Sequence, residues 1–103
     1  MAIAEAPTLA ALSPEEAVDR ARLVPDWILS DGALERTFKF RNFREAIAFA
    51  NQVADAAEAA KHHPDIWISY NRVRLELSTH SAGGLTPKDF GLAVTIDLLV
   101  PPT

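Results

Sequence analysis

Between Asn71 and His80 apolar and polar residues alternate without a break. Val73, Leu75, Leu77 and Thr79 fall on one parity, and Arg72, Arg74, Glu76, Ser78 and His80 on the other. A period of two sends successive side chains to opposite faces of a pleated strand, so the run requires a sheet with one face covered and one open. The rest of the chain must supply the neighbouring strands and the cover.

Strand partners are signalled nearby. Trp27–Ser30 and Ala33–Arg41 flank Asp31-Gly32, a pair suited to the positive φ of a tight hairpin. Along the second run Leu34, Phe38 and Phe40 point one way, and Glu35, Thr37 and Lys39 the other. Ile66–Tyr70 reads as a short strand preceding 71–80. The cover is helical. Ser13-Pro14-Glu15-Glu16 joins a capping serine, a proline at the first helical position and a glutamate that can reach back to the cap, opening a short helix that ends before Pro25. Asn42 with Glu45 opens a longer helix whose apolar positions Phe43, Ile47, Ala50, Val53, Ala54 and Ala57 recur at three and four. It must stop by His63, because Pro64 disfavours helical geometry in the residue before it. Ser81-Ala82-Gly83-Gly84 reads as a flexible connection. Thr86-Pro87-Lys88-Asp89 opens a third helix carrying Phe90, Leu92, Ala93, Ile96, Leu98 and Leu99. The order is α-β-β-α-β-β-α, an α+β arrangement: a four-stranded antiparallel sheet with three helices on one face.

A chain of 103 residues suits one domain and can bury roughly 65% of its unfolded surface. Residues 1–12 are read as a flexible N-terminal segment and 13–103 as the domain. That segment is apolar, but Glu5 and Pro7 interrupt it and no positive stretch precedes it, which argues against a targeting signal. The apolar run from Phe90 to Val100 is too short to span a bilayer and contains Asp97. The expectation is a soluble, cytoplasmic protein that does not associate with membranes. Ten basic residues against fourteen acidic ones leave a net charge of −4, with no basic stripe to displace counterions from phosphates, so nucleic acid is not an expected partner. The absence of cysteine excludes disulfides and thiolate metal sites.

All three histidines lie between His62 and His80. Histidine alone has an unperturbed pKa near neutrality, so a group of them suits a reaction that needs a proton donor and a proton acceptor together. Dehydration is such a reaction: the leaving hydroxyl gains a proton while a neighbouring N–H or C–H loses one. Plainer roles exist for each residue. The His62-His63 pair can serve a helix C-terminus. His80 can be a surface residue at a strand end. Glu58 can be a solvated helix residue with one i, i+4 contact to His62. Asp89 at the third helical position behind a threonine completes a cap. A catalytic metal is disfavoured, since adjacent histidines diverge where metal-binding helices use i, i+4 spacing. No glycine-flanked elbow supports Ser78, Thr79 or Ser81 as a nucleophile beside His80.

The string Glu58-x3-His62-His63-Pro64-x5-Tyr70-x9-His80-x8-Asp89 resembles the signature of the pterin-4a-carbinolamine dehydratases at each position. Phe38-x-Phe40-x-x-Phe43, Ser78-Thr79-His80 and Gly83-Gly84-Leu85-Thr86 are similar to further blocks of that family, so the likeness runs from about Trp27 to Asp97. The resemblance implies dehydration of 4a-hydroxytetrahydropterin to quinonoid dihydropterin, with no metal or organic cofactor because the pterin is the substrate. It implies that His62 and His80 exchange protons around the 4a-hydroxyl, that His63 orients the pterin, and that Glu58 and Asp89 polarise the imidazoles. Lys61–His63 and Ser78–Ser81 would line the ring's edge. The resemblance also implies a homodimer or homotetramer and a functional link to a phenylalanine hydroxylase. The alternative is a protein-binding or dimerisation cofactor on the same fold. Two positions depart from the commonest pattern: Ser81 stands where an acid often follows the histidine, and Trp67 is shifted by one place.

Overall fold

The computed structural model describes residues 10–100. It runs α1 (Pro14–Ala21), β1 (Ile28–Ser30), β2 (Ala33–Lys39), α2 (Phe43–Ala60), β3 (Asp65–Ser69), β4 (Arg72–Leu77) and α3 (Pro87–Asp97), with a 3₁₀ turn at His80–Ala82. This is the expected α+β order. Residues 1–9, most of the segment expected to be flexible, lie outside the described residues. Leu12 is tied to the domain, its N–H donating to the Leu85 carbonyl at 2.7 Å.

The sheet is antiparallel throughout, in the order β1-β2-β4-β3. Each hairpin turns in two residues. Asp31 and Gly32 both take positive φ (45° and 75°), so the β1–β2 ribbon has the twist that such turns favour. The β3–β4 turn places Tyr70 at φ 51°. Register sets Leu29, Leu34 and Leu77 in one row, Arg36, Leu75 and Ile66 in the next, and Phe38, Val73 and Ile68 in a third. Over this face α2 lies against β3 and β4 and packs on α3, while α1 meets β1. Trp27, Phe38, Phe49 and Phe40 form a chain of edge and tilted ring contacts at 6.1, 4.7 and 4.9 Å between centroids.

Arg36 occupies an inward position without being stranded there. Its guanidinium lies 4.3 Å from the Phe38 ring centroid and donates to Asp97 Oδ1 at 2.7 Å, an oxygen that also accepts from Trp27 Nε1 at 2.8 Å. One carboxylate thus holds the end of α3 to β2 and to the residue that leads into β1.

Several local expectations are corrected. The buried stripe of α2 is Ala46, Phe49, Val53 and Ala57, with Phe43 51% exposed and Ala54 exposed. Hydrophobicity ranks Ile47 above Ala46, but the small side chain is the one that lets the helix approach the sheet. Glu45 reaches back to the Arg41 N–H (3.0 Å) rather than to the cap, so Asn42 alone caps the helix, its side chain accepting from Glu45 N–H at 2.9 Å. The last strand ends at Leu77, not His80, because Ala82 N–H and Gly83 N–H bond to the carbonyls of Thr79 and His80 and bend the chain away. What was read as a flexible connection begins with that ordered turn, closed by Gly83 at φ 77° and a Thr79–Gly84 bridge. The third helix ends at Asp97, before Leu98 and Leu99; Leu98 is exposed, while Leu99 and Val100 pack against the core.

Candidate active site

The two adjacent histidines are sent in opposite directions by the residue before them. Lys61 takes a left-handed conformation (φ 53°, ψ 43°), its N–H bonding to Glu58 O (3.2 Å) and that of His62 to Ala57 O (3.0 Å). This is the double bond of a Schellman helix end, in which the residue after the left-handed position folds back onto the helix. His62 therefore turns inward and is 9% exposed, while His63 stays outside. Pro64 then prevents the helix from resuming and leads into β3.

Each imidazole meets a carboxylate through Nε2. His62 Nε2 lies 2.5 Å from Asp89 Oδ1, in the interior, and His63 Nε2 lies 2.6 Å from Glu58 Oε2, in solvent. Asp89 is fully buried at the start of α3. Its other oxygen accepts from Thr86 N–H at 2.9 Å and from Thr79 Oγ1 at 2.7 Å. Thr79 and Thr86 share a hydroxyl–hydroxyl bond of 2.9 Å, and Lys88 N–H donates to Thr86 Oγ1 at 3.3 Å. Among the described residues no buried side-chain nitrogen or oxygen lacks a partner. These partners replace the water that burial takes from the Asp89 carboxyl group. The cap of α3 and the acceptor for His62 are the same group.

His80 stands on the 3₁₀ turn just past Thr79 and is exposed. With Ser78 it lines a cavity of about 470 Å³, together with Asp31, Gly32, Glu35, Glu76 and Gly84. Ser78 Oγ donates to Gly32 O at 3.1 Å, fixing the cavity floor to the β1–β2 turn. His62 borders a separate groove of about 430 Å³ between α2 and α3, beside Ala56, Ala59, Lys88 and Gly91. The two hollows have no lining residue in common. The structure thus brings His62, Asp89, Thr79 and Thr86 into one cluster and His63 and Glu58 into another. His80 is joined to the first through its neighbour Thr79. Lys61 and Ser81 are exposed, and Thr79, expected at a ligand's edge, has its hydroxyl turned into the interior.

Sequence reasoning passed over Thr86 as a cap alone, and over Glu76 and Glu35. The parity of β4 carries the signal for Glu76, because Glu76, Ser78 and His80 continue one alternation. Register sets Glu35 and Asp65 directly opposite Glu76, and Glu35 is answered by Arg74 at 3.1 Å. Arg74 also lies over the half-exposed Trp67 ring at 3.9 Å, so this tryptophan is engaged on the open face of the sheet. Among the described residues no three ligand-type side chains converge as a metal site, and no helix is long and apolar enough to cross a membrane.

An antiparallel sheet under three helices, with two carboxylate-held histidines at the end of α2 and a third histidine on the turn after β4, defines a small α+β protein. Residues 10–99 match the family described as pterin 4 alpha carbinolamine dehydratase, and the chain belongs to that family. A Chloroflexus aurantiacus protein with the provisional name pterin-4-alpha-carbinolamine dehydratase is 57% identical over 86 residues, which is 84% of this chain and 92% of that one. A crystal structure from Brucella melitensis, described as a transcriptional coactivator/pterin dehydratase, superposes with a TM-score of 0.83 at 34% identity, covering 88% of this chain and 99% of its own. A pterin dehydratase-like protein described as a RuBisCO assembly factor of the alpha-carboxysome shares the fold alone, at TM-score 0.60 and 20% identity over 75% of this chain and 89% of that one.

Proposed function

We propose that this protein dehydrates 4a-hydroxytetrahydropterin to quinonoid dihydropterin by histidine general acid–base catalysis. The observation that carries the reading is the inward-turned His62 held against the buried Asp89, in a chain of this family. In the reaction the C4a–O bond breaks, the departing hydroxyl takes a proton and leaves as water, and N5–H gives up its proton as the C4a–N5 double bond forms. Two imidazoles of near-neutral intrinsic pKa can perform both transfers. His62 and His80 are assigned to them, with His63 on Glu58 orienting the pterin at the solvent edge. Asp89 and Glu58 each hold one imidazole at Nε2 and polarise it. Lys61, Ser78, Thr79 and Ser81 stand around these histidines; Ser78 and His80 offer polar groups to a ring entering the cavity, while Thr79 acts from behind. The oligomeric state is proposed to be a homodimer or homotetramer, and the reaction is the step that would return oxidised pterin towards a phenylalanine hydroxylase.

The test is the rate of loss of the 4a-hydroxyl from freshly generated carbinolamine. His62→Ala and His80→Ala should each slow it by about 10²–10⁴, the usual size of one general acid–base contribution. Unchanged turnover in both variants would overturn the assignment. A second reading, a protein-binding module, is favoured by the names of two fold relatives and by the exposed Ile66 and Trp67 on β3. It predicts a stoichiometric partner recovered on affinity capture, with no dehydration by the purified protein.

A further inference from the structure

We infer that Thr79 and Thr86 are positioning residues that lock His62 in its Nε2–H tautomer, leaving Nδ1 as the nitrogen that exchanges the proton. The inference deepens the dehydratase reading and rests on it for its kinetic consequence. Its structural part stands on proton counting alone.

Ionised Asp89 can only accept. Its Oδ2 takes the Thr86 N–H and the Thr79 hydroxyl hydrogen, at 2.9 and 2.7 Å. Thr79 has one hydroxyl hydrogen and has thus given it to Asp89, so the 2.9 Å contact between the two hydroxyls must be filled by the hydrogen of Thr86. Thr86 Oγ1 in turn accepts from Lys88 N–H. Every hydrogen in the cluster is committed, and the free lone pairs of Asp89 Oδ1 face His62 Nε2 at 2.5 Å, which must therefore be protonated. Nδ1 makes no hydrogen bond among the described residues. The ring that carries it borders the groove between α2 and α3. In the neutral ring it is the lone pair available to a substrate N–H, and in the charged ring it is the proton available to a leaving hydroxyl.

The plainer reading is that the threonines only cap α3. A cap explains the bond to Lys88 N–H and the approach of Asp89 to Thr86 N–H. It does not require Thr79, which lies outside α3 and comes from the end of the β4 segment to spend its only hydrogen on Asp89. Removing that hydrogen frees Asp89 to rotate, and the imidazole loses the single acceptor that selects its tautomer.

Histidine nitrogen NMR of the whole protein should show His62 with Nε2 protonated and Nδ1 of the unprotonated type. Thr79→Val should turn this into a tautomer mixture and lower kcat for carbinolamine dehydration by about 10–100-fold, the usual scale for residues that orient a ligand from behind. KM should change less than about twofold, since the threonine touches no substrate. Thr79→Ser, which keeps the hydroxyl, should restore both the spectrum and kcat. A protonated Nδ1 in the parent protein would overturn the inference, and that measurement stands even if Thr79→Val does not fold. An unchanged tautomer in a folded Thr79→Val, or unchanged kcat, would also overturn it. Loss that Thr79→Ser does not recover would do the same. If the parent protein shows no dehydration at all, the proposed function falls while the tautomer spectra still decide whether the threonines hold His62.

Discussion

At the scale of single residues, Lys61 decides more than its exposed side chain suggests. A left-handed backbone costs a non-glycine residue about 1–2 kcal/mol, and glycine, which normally holds this position, carries no such cost. Lys61→Gly should therefore raise stability by about 0.5–1 kcal/mol after its larger unfolded-state entropy is counted, seen as a higher urea midpoint with an unchanged slope. A decrease would show that the lysine side chain is used. The position also shows where sequence reading stops. His62, His63 and Pro64 are visible as a group, and Pro64 announces the end of the helix. The inward turn of one histidine and the outward turn of the other depend on a φ angle that lysine does not advertise. Asp89 was legible both as a cap and as a family residue; that it is both at once depends on Thr79 arriving from a strand end ten residues earlier.

At the scale of elements, the open face of the sheet carries an electrostatic cost. Register sets Glu35, Glu76 and Asp65 in one row across β2, β4 and β3, and like charges directly opposite one another destabilise a sheet. Arg74 answers Glu35 but leaves Glu76 between two acids. Glu76→Gln should stabilise the protein by about 0.2–1 kcal/mol at neutral pH, read as a higher urea midpoint. The helix starts show the opposite arrangement. Glu16 lies below the ordinary glutamate range because the Ser13 N–H and hydroxyl bond to it, and Glu45 does so because the Arg41 side chain and N–H bond to it. A pKa lower in the folded state means stability that is present above the unfolded value and lost as pH falls through the folded one. Denaturation curves from pH 7 to pH 3 should record that loss, and Glu16→Gln and Glu45→Gln should each reduce it. Both starts were legible, because a capping residue and an acid three places on lie next to each other in sequence. The alternation of β4 was legible too, but its end point was not, since the 3₁₀ turn is held by backbone bonds that no side-chain pattern records.

At the scale of the whole molecule, the Asp97 clasp joins segments 61 and 70 residues apart in the chain, through Arg36 and Trp27. Both side chains of the ion pair are about three-quarters buried, at 22% and 26% exposure. Asp97→Ala would leave a guanidinium beneath the helices without its main acceptor, and should cost about 2–4 kcal/mol. In a domain of this size each kcal/mol lowers the melting temperature by about 4–8 °C, so scanning calorimetry would resolve the effect. No sequence pattern pointed to Asp97, which reads only as a charge in an apolar run; long-range pairing of this kind becomes visible in three dimensions alone. The shared duty of Asp89 bears on ancestry. A descendant that abandoned catalysis for scaffolding would still need Asp89 and the inward His62 to begin α3 and fill the interior, so those two letters would outlive the activity. Glu58, His63 and His80 stand in solvent and hold no element in place. Under the proposed assignment, relaxed selection would erase them first.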